Sequence, residues 1–532
     1  MVVRRPSTER KSSMNRARRT MALAVATLST AAVLTACGGS GGASADASRG
    51  GSAPAVGTQD LDPHPAADLR QGGTLKMTIQ QWIGQYNPNQ VDGTQGDASA
   101  ITELVEPDLF LLDAKGVPHR NPDFLTSAEV VSDHPQVVRY RLNPKAKWSD
   151  GKPLSWRDFA AQWKALNGRD KRFAAADTSG YAQISEVARG ADDQEVTVTF
   201  GTPYADWQRL FDPLLPASLN ATPESFATAW AGTVPVTANA FRIGSYDRTA
   251  QTITAVPDPN WWGRKPKLDR IIYWALDGSG YVDAYLNKEI DYTSAASPEA
   301  YQRLKGDKGT DIRIGARWDQ VTLSLNGRRG PLKDVRVRQA VMLGVDRSAL
   351  AKVAGKDLPF QPKVLGNHFF MPNQEGYQDN SGGFGKRDTA RAEQMLGEIG
   401  VAVELRKVPS NDYFDKYIHR SNYDLSQFRQ VDQVFRSEAY GGYRTPQGDH
   451  TFTNYGGVSS PEVDALLREA SRTTDAARQI ALYNKADAAV WRLGHSLPLY
   501  QRPQIFAVRK GLANFGPTGL GSEQLADAGW LK

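Results

Sequence analysis

Cysteine is almost missing from this chain: Cys37 is the single one in 532 residues. One thiol can close no intramolecular disulfide and build no cysteine-based metal site, so packing alone must hold the fold. Histidine is scarce too. The seven (His64, His119, His134, His368, His419, His450 and His495) are scattered, without the spacing of a metal-binding pair. The apolar run at 21–34 has fourteen residues, too few to span a bilayer comfortably. A lasting charge excess is also absent. The formal charge is +6, but seven of the 64 basic and one of the 58 acidic side chains lie in residues 1–36. Beyond residue 36 bases and acids balance, which removes the electrostatic basis for nucleic-acid binding. There is no phosphate loop and no nucleophile–base pattern, and no carboxylate pair stands out as acid and base. No catalytic residue, metal or cofactor is therefore expected, and the chain reads as a non-enzyme.

What is present begins at the N-terminus. Arg16, Arg18 and Arg19 precede the apolar run, which ends in Leu34-Thr35-Ala36-Cys37. A charged start, a short apolar middle and small residues at the cut make a secretory signal peptide. The ending resembles the lipobox of bacterial lipoproteins, in which the cysteine is lipidated and becomes the first mature residue. This implies a leader at 1–36, lipidation of Cys37, and a protein held by lipid on the extracytoplasmic face of the cell membrane. Met14 starts a complete signal peptide of its own, and Arg18-Arg19 leaves twin-arginine export open beside the general route. Residues 37–70, rich in Gly, Ser, Ala and Asp, read as a flexible tether. The Gly-x-Ser-x-Gly match at 38–42 lacks strand–turn–helix context and reads as linker.

Ordered sequence is expected from about residue 72. Leu75, Met77 and Ile79 alternate with polar residues, the pattern of a half-buried strand. Helical signals follow at 98–104, and a strand at 139–142. Ser155 with Asp158 forms a capping box opening a helix whose expected core face is Trp156, Phe159, Ala160 and Trp163. Alternation at 241–246 and 252–256 around Asp247-Arg248-Thr249-Ala250 predicts a hairpin, and 271–276 a further strand. Asp334 caps a helix, as do Asp388 (closed by Gly400), Ser460-Pro461 and Asp475 (closed by Gly494). Residues 497–500 read as a short strand. Strands and helices interleave throughout, giving an α/β class in several lobes. No internal repeat is present.

Four groups of residues, in order, resemble the family 5 extracellular solute-binding proteins of ABC transporters, the peptide- and nickel-binding group. They are Tyr140-Arg141-Leu142-Asn143-Pro144 with the stretch from Trp148 to Phe159; Phe241 to Tyr246 with Asp258 to Gly263; Asn326 with Leu332 to Ala340 and Val345-Asp346-Arg347; and Ser460 to Leu467 with Ser496 to Tyr500. The resemblance implies a two-lobed, periplasmic-binding-protein-like fold of type II, with an extra subdomain in the N-terminal lobe and ligand in the cleft between lobes. On that basis lobe I comprises 71–105, 221–276 and 495–532, its extra subdomain 106–220, and lobe II 277–494. In relatives a further strand and helix follow the helix matching 388–400. Here Gly400 runs straight into Val401, so lobe II is expected to be shortened near 400.

Candidate ligand contacts lie beyond strand ends near the lobe junction. They are Gln81, Trp82, Tyr86 and Asn87; Trp318, Gln320 and Asn326; and Phe428, Arg429, Gln430 and Asp432. The resemblance implies that an acid such as Asp432 pairs with a peptide's amino terminus through a charge-assisted hydrogen bond. The expected function is a lipid-anchored, monomeric substrate-binding component that delivers a small-molecule ligand, most of all oligopeptides, to ABC permease subunits. The alternative is a non-transport scaffold or sensor lipoprotein of the same fold in cell-envelope lipid or glycan assembly.

Overall fold

The computed structural model describes residues 2–4, 58–384, 402–404, 413–418, 420–431, 434–448 and 451–532. Cys37, the Asp388 helix, the shortening near 400 and Asp432 lie outside these residues.

The chain order is set by local signals. Strand β1 (Thr74–Ile79) alternates as its sequence predicts, with Leu75, Met77 and Ile79 buried. Helix α1 (Gly96–Val105) follows, and then the extra subdomain: β2 (Leu125–Asp133), β3 (Gln136–Leu142), α2 (Trp156–Leu166), β4 (Ile184–Arg189) and β5 (Glu195–Phe200). The Ser155/Asp158 capping box is formed in both directions. The α2 face it presents differs from expectation: Asp158, Phe159, Gln162, Ala165 and Leu166 are buried. Trp156 and Trp163 sit at the margin, each under an arginine (Arg157 and Arg169, 5.3 and 5.2 Å from the ring centres). Their size lets them cover the edge of the core while cations shield the outer ring face.

Strands β6 (Phe241–Asp247), β7 (Thr252–Pro257) and β8 (Arg270–Ala275) join β1 in a sheet of order β1-β8-β7-β6, where β1 and β8 run parallel. Strands β2 to β5 form a separate antiparallel sheet of order β2-β3-β5-β4. One apolar core runs from β1 through the subdomain, including Leu75, Phe124, Tyr140, Phe159, Phe211 and Ile271.

Next come β9 (Tyr292–Ser294), β10 (Thr310–Gly315), β11 (Asp319–Leu325), α3 (Val335–Gly344), β12 (Leu425–Val431), α4 (Pro461–Ala470), α5 (Ala476–Leu493), β13 (Ser496–Gln501) and β14 (Gln504–Arg509). Asp334, Ser460 and Asp475 cap their helices as predicted, and Gly494 ends α5 in the left-handed region at φ 60°. Sheets β9-β14-β10 and β12-β11-β13 meet end to end. Strand β10 passes into β11 through 316–318, and β13 into β14 through 502–503. The two strand pairs (β10 with β14, β11 with β13) therefore cross side by side from one sheet to the next, joined by the Arg502 amide donating to the Asp319 carbonyl at 2.9 Å. Two short antiparallel crossings of this kind are connections about which two lobes can turn.

The lobes change over at these crossings. Residues 277–315, grouped with lobe II on sequence, contribute β9 and β10. Val508 of their sheet lies in the lobe I core and the Asp291 amide donates to the Lys76 carbonyl. Residues 495–501, grouped with lobe I, complete the lobe II sheet.

A second difference concerns the tether. Residues 58–70 are docked, not free. The Ala316 amide donates to the Thr58 carbonyl (3.1 Å) and the Ile314 amide to Asp60 (3.0 Å). Arg313, buried, donates to Asp62 and the Leu61 carbonyl, and Leu69 bridges to Leu531. Residues 58–62 thus lie against the strand that enters the crossing.

Candidate ligand-binding site

Strand β11, the centre of the lobe II sheet, is buried on both faces, but the faces differ in kind. Val321 and Leu325 face an apolar cluster with Val337, Met342, Trp491, Leu497 and Leu499. On the other face Gln320, Thr322, Ser324 and Asn326 are all buried and all polar, because side chains alternate along a strand. Register places Gln430 and Gln501 on either side of Gln320, and Ser426 and Ser496 on either side of Ser324. A row of three glutamines therefore crosses the sheet beside the hinge. The Gln320 amide donates to the Asn367 carbonyl (3.2 Å), while its Oε1 is buried without a partner. Gln501 donates to the Arg317 carbonyl and to Asn373.

Behind this face lies a polar interior. His368 and Asp487 are fully buried and 2.6 Å apart, and the other His368 ring nitrogen faces the Ser496 carbonyl at 3.1 Å. His495 contacts the Ser496 hydroxyl and the Gly442 carbonyl. Burial, with His368 nearby, pushes His495 down to about 3, so its ring is neutral at physiological pH.

The structure describes ten of the eleven predicted contacts, all but Asp432, and separates them by their surroundings. Asn326 is fully engaged: its Nδ2 donates to the Ser421 and Tyr423 carbonyls and its Oδ1 accepts from the Arg328 amide. Asn87 is buried, bonded to the Phe226 carbonyl and the Asn89 amide. Tyr86 is core, edge-on to Tyr246. Trp318 is buried at the crossing against Leu365, Met371 and Leu520, with its indole N–H unpartnered. Gln81 is exposed and bonded to Gln95. Trp82 is half-buried beneath Arg248, 5.4 Å from the ring centre. Phe428 pairs with Thr322 through the backbone. Arg429 clamps the buried carboxylate of Asp319 with two donors. Gln81 and Trp82 thus belong to lobe I, while in lobe II Gln320 and Gln430 come together on one face of the sheet next to the crossing and Arg429 lies with Asp319 on the other. The sequence reading passed over Asp319, Gln501 and Arg502. Asp319 directly follows Trp318 at the head of a strand with an otherwise uncharged sequence, which was the available signal.

Among the described residues β12 has a strand neighbour on one side only, so lobe II offers an edge to which an extended chain can add. The outer edge of β1 is taken up by Asp291, which bonds both the amide and the carbonyl of Lys76, and by the Trp530 indole on the Thr74 carbonyl. A cavity of about 310 Å³ lies elsewhere, between residues 61–66 and the loop 514–527 of lobe I. Among the described residues no group of three or more His, Cys, Asp or Glu side chains is placed to hold a metal ion. No described helix is long and apolar enough to cross a membrane.

Two lobes joined by paired crossing strands, with polar groups gathered at the junction, form a solute-binding architecture. Residues 120–398 match the profile of the bacterial extracellular solute-binding proteins, family 5 Middle. Across nearly the whole length the chain is also 34% identical to the oligopeptide-binding protein OppA of Mycobacterium tuberculosis, over 94% of this chain and 92% of that one. The chain belongs to family 5 of the bacterial extracellular solute-binding proteins. Two further likenesses bear on this family 5 protein. It is 29% identical to the probable monoacyl phosphatidylinositol tetramannoside-binding protein LpqW of M. tuberculosis, over 52% of this chain and 45% of LpqW. The periplasmic EDTA-binding protein EppA superimposes with a TM-score of 0.79 at 24% identity, covering 91% of this chain and all of EppA. At that identity EppA shows the shared two-lobed fold.

Proposed function

We propose that this protein is the substrate-binding component of an ABC importer for oligopeptides, anchored by lipid at Cys37 and closing its lobes over ligand at the hinge. The observation that carries the reading is the end-to-end similarity to an oligopeptide-binding protein. The edge strand β12 supports it, because an extended peptide satisfies its backbone hydrogen bonds by adding to such an edge whatever its side chains. In this reading Trp82 and Gln81 supply contacts from lobe I, and Arg429, Gln430 and Asp432 from lobe II, with Asp432 meeting the peptide's amino terminus. Ligand touching both lobes favours the closed state by its differential affinity.

The similarity to LpqW favours a second reading, a protein of the same fold that binds a phosphatidylinositol mannoside in envelope assembly. One experiment separates the two. The mature protein is screened by thermal shift and calorimetry against a di- to nonapeptide panel, metal chelates and a phosphatidylinositol mannoside. Saturable peptide binding with a higher melting temperature is expected. Response to the glycolipid alone would transfer the assignment, and silence across the whole panel would remove the importer reading.

A further inference from the structure

Away from the hinge, the extra subdomain meets lobe II at a second place. The loop after β5 carries Tyr204, Ala205, Asp206 and Arg209. Facing it are Ser437, Glu438, Ser471 after α4, and Gln479 of α5. The Ser437 amide donates to one oxygen of Asp206 at 2.9 Å, and the Gln479 side-chain amide donates to the other at 3.1 Å. The Tyr204 and Ser437 hydroxyls are 2.8 Å apart, and the Ala205 amide donates to the Ser471 carbonyl at 2.8 Å. Arg209 lies 3.4 Å from both Asp177 of its own subdomain and Glu438 of lobe II. Tyr204, Asp206, Ser437 and Gln479 are all buried. Hydrogen bonds to a carboxylate withdrawn from water are among the stronger ones a protein makes. Every partner comes from the chain itself, so the junction needs no ligand.

We propose that this junction is a clasp that keeps one edge of the cleft shut in the ligand-free protein. The lobes then turn about the line from the hinge crossings to the clasp, and ligand enters from the opposite edge. Two bodies fastened at two separated places keep one rotation, about the line joining them. Apolar contacts continue between the fastenings: Trp318, at the crossing, packs with Leu365, Met371 and Leu520, and Val434, three residues before Ser437, packs on the same cluster. The clasp deepens the solute-binding reading by setting how the cleft opens, and it rests on that reading only for what the cleft admits.

The test uses ligand-free protein: wild type, Asp206→Ala and Gln479→Ala, which remove the same contact from opposite lobes. Hydrogen exchange is read at the Ser437 amide and the scattering radius of gyration is measured alongside. Slow exchange at Ser437 is expected in wild type. In both variants it should accelerate roughly tenfold or more, the scale of losing a charged hydrogen bond. The radius of gyration should rise while protection of β11 is kept. If Asp206→Ala does not fold, Gln479→Ala reports on the same junction alone. Fast exchange at Ser437 in wild type, or wild-type exchange and scattering in the variants, overturns the clasp. Peptide titration of the same samples keeps the two claims apart. A responsive junction without peptide binding sinks the importer reading alone, and peptide binding with an indifferent junction sinks the clasp alone.

Discussion

His495 shows what a single buried side chain can impose on this protein. Its ring is enclosed between the Ser496 hydroxyl, the Gly442 carbonyl and Asn454, with His368 and Arg338 as the charged or titratable groups that oppose its protonation. The folded protein therefore holds the ring neutral down to about 3, whereas the unfolded chain protonates it near 6.5. The sign follows from linkage: a depressed pKa gives stability that is complete above 6.5 and is lost as the pH falls towards 3. The slope is about 1.4 kcal/mol per pH unit within that window. Urea unfolding of wild type and His495→Gln at pH 7, 5 and 4 measures it. The variant is expected to be less stable at pH 7 but to lose less on acidification. Parallel pH profiles for the two proteins would show that the ring does not carry the effect.

The docked segment 58–62 is an element whose seat is made by glycine. A β-carbon on Gly516 would stand 2.2 Å from the Asp60 carbonyl oxygen, and one on Gly519, at φ 71°, would stand 2.6 Å from that of Thr58. Gly516→Ala should therefore release the segment at a cost of about 1–3 kcal/mol and expose the buried Arg313 guanidinium. Limited proteolysis should then cut between residues 58 and 66 in the variant and leave wild type intact at the same dose; resistance in both would mean that the seat yields instead. This element also marks where sequence legibility stopped. Strand β1, the Ser155 capping box and the Gly494 stop were readable because each signal lies within a few neighbouring residues. The docking of 58–70 depends on partners such as Asn514, which bonds the His64 backbone; the segment itself holds neither Gly nor Ser, and it shared the reading of the Gly- and Ser-rich residues before it. The crossing at 316–318 carries no break signal because the strand pair runs on from one sheet to the next. Strand β11 hid its role for a related reason. Its buried polar face of Gln320, Thr322 and Ser324 has the composition of a solvent-facing strand, and only the packed lobe distinguishes the two. For Arg429, sequence could not show that Asp319 occupies its guanidinium.

At the scale of the whole molecule, the docked segment bears on the proposed lipid anchor at Cys37. Residues 37–70 would have allowed a long free tether, but the chain is seated from Thr58 onward, beside the strand that enters the hinge. A lipid at Cys37 would therefore reach the fold on its hinge side, where the chain is seated. Two consequences follow from the proposed anchor, and they are separable. Cys37→Ala should move the protein from the membrane fraction to the medium or the soluble extracytoplasmic fraction. It should leave peptide affinity of the purified protein unchanged, because the seat at 58–62 insulates the lobes from the tether. Fractionation with immunodetection tests the first, and calorimetry with a peptide selected by the panel tests the second. Continued membrane retention of the variant would show that another contact holds the protein there. Altered affinity would show that tension from the anchor reaches the hinge through the docked strand, in which case the tether takes part in setting the lobe equilibrium.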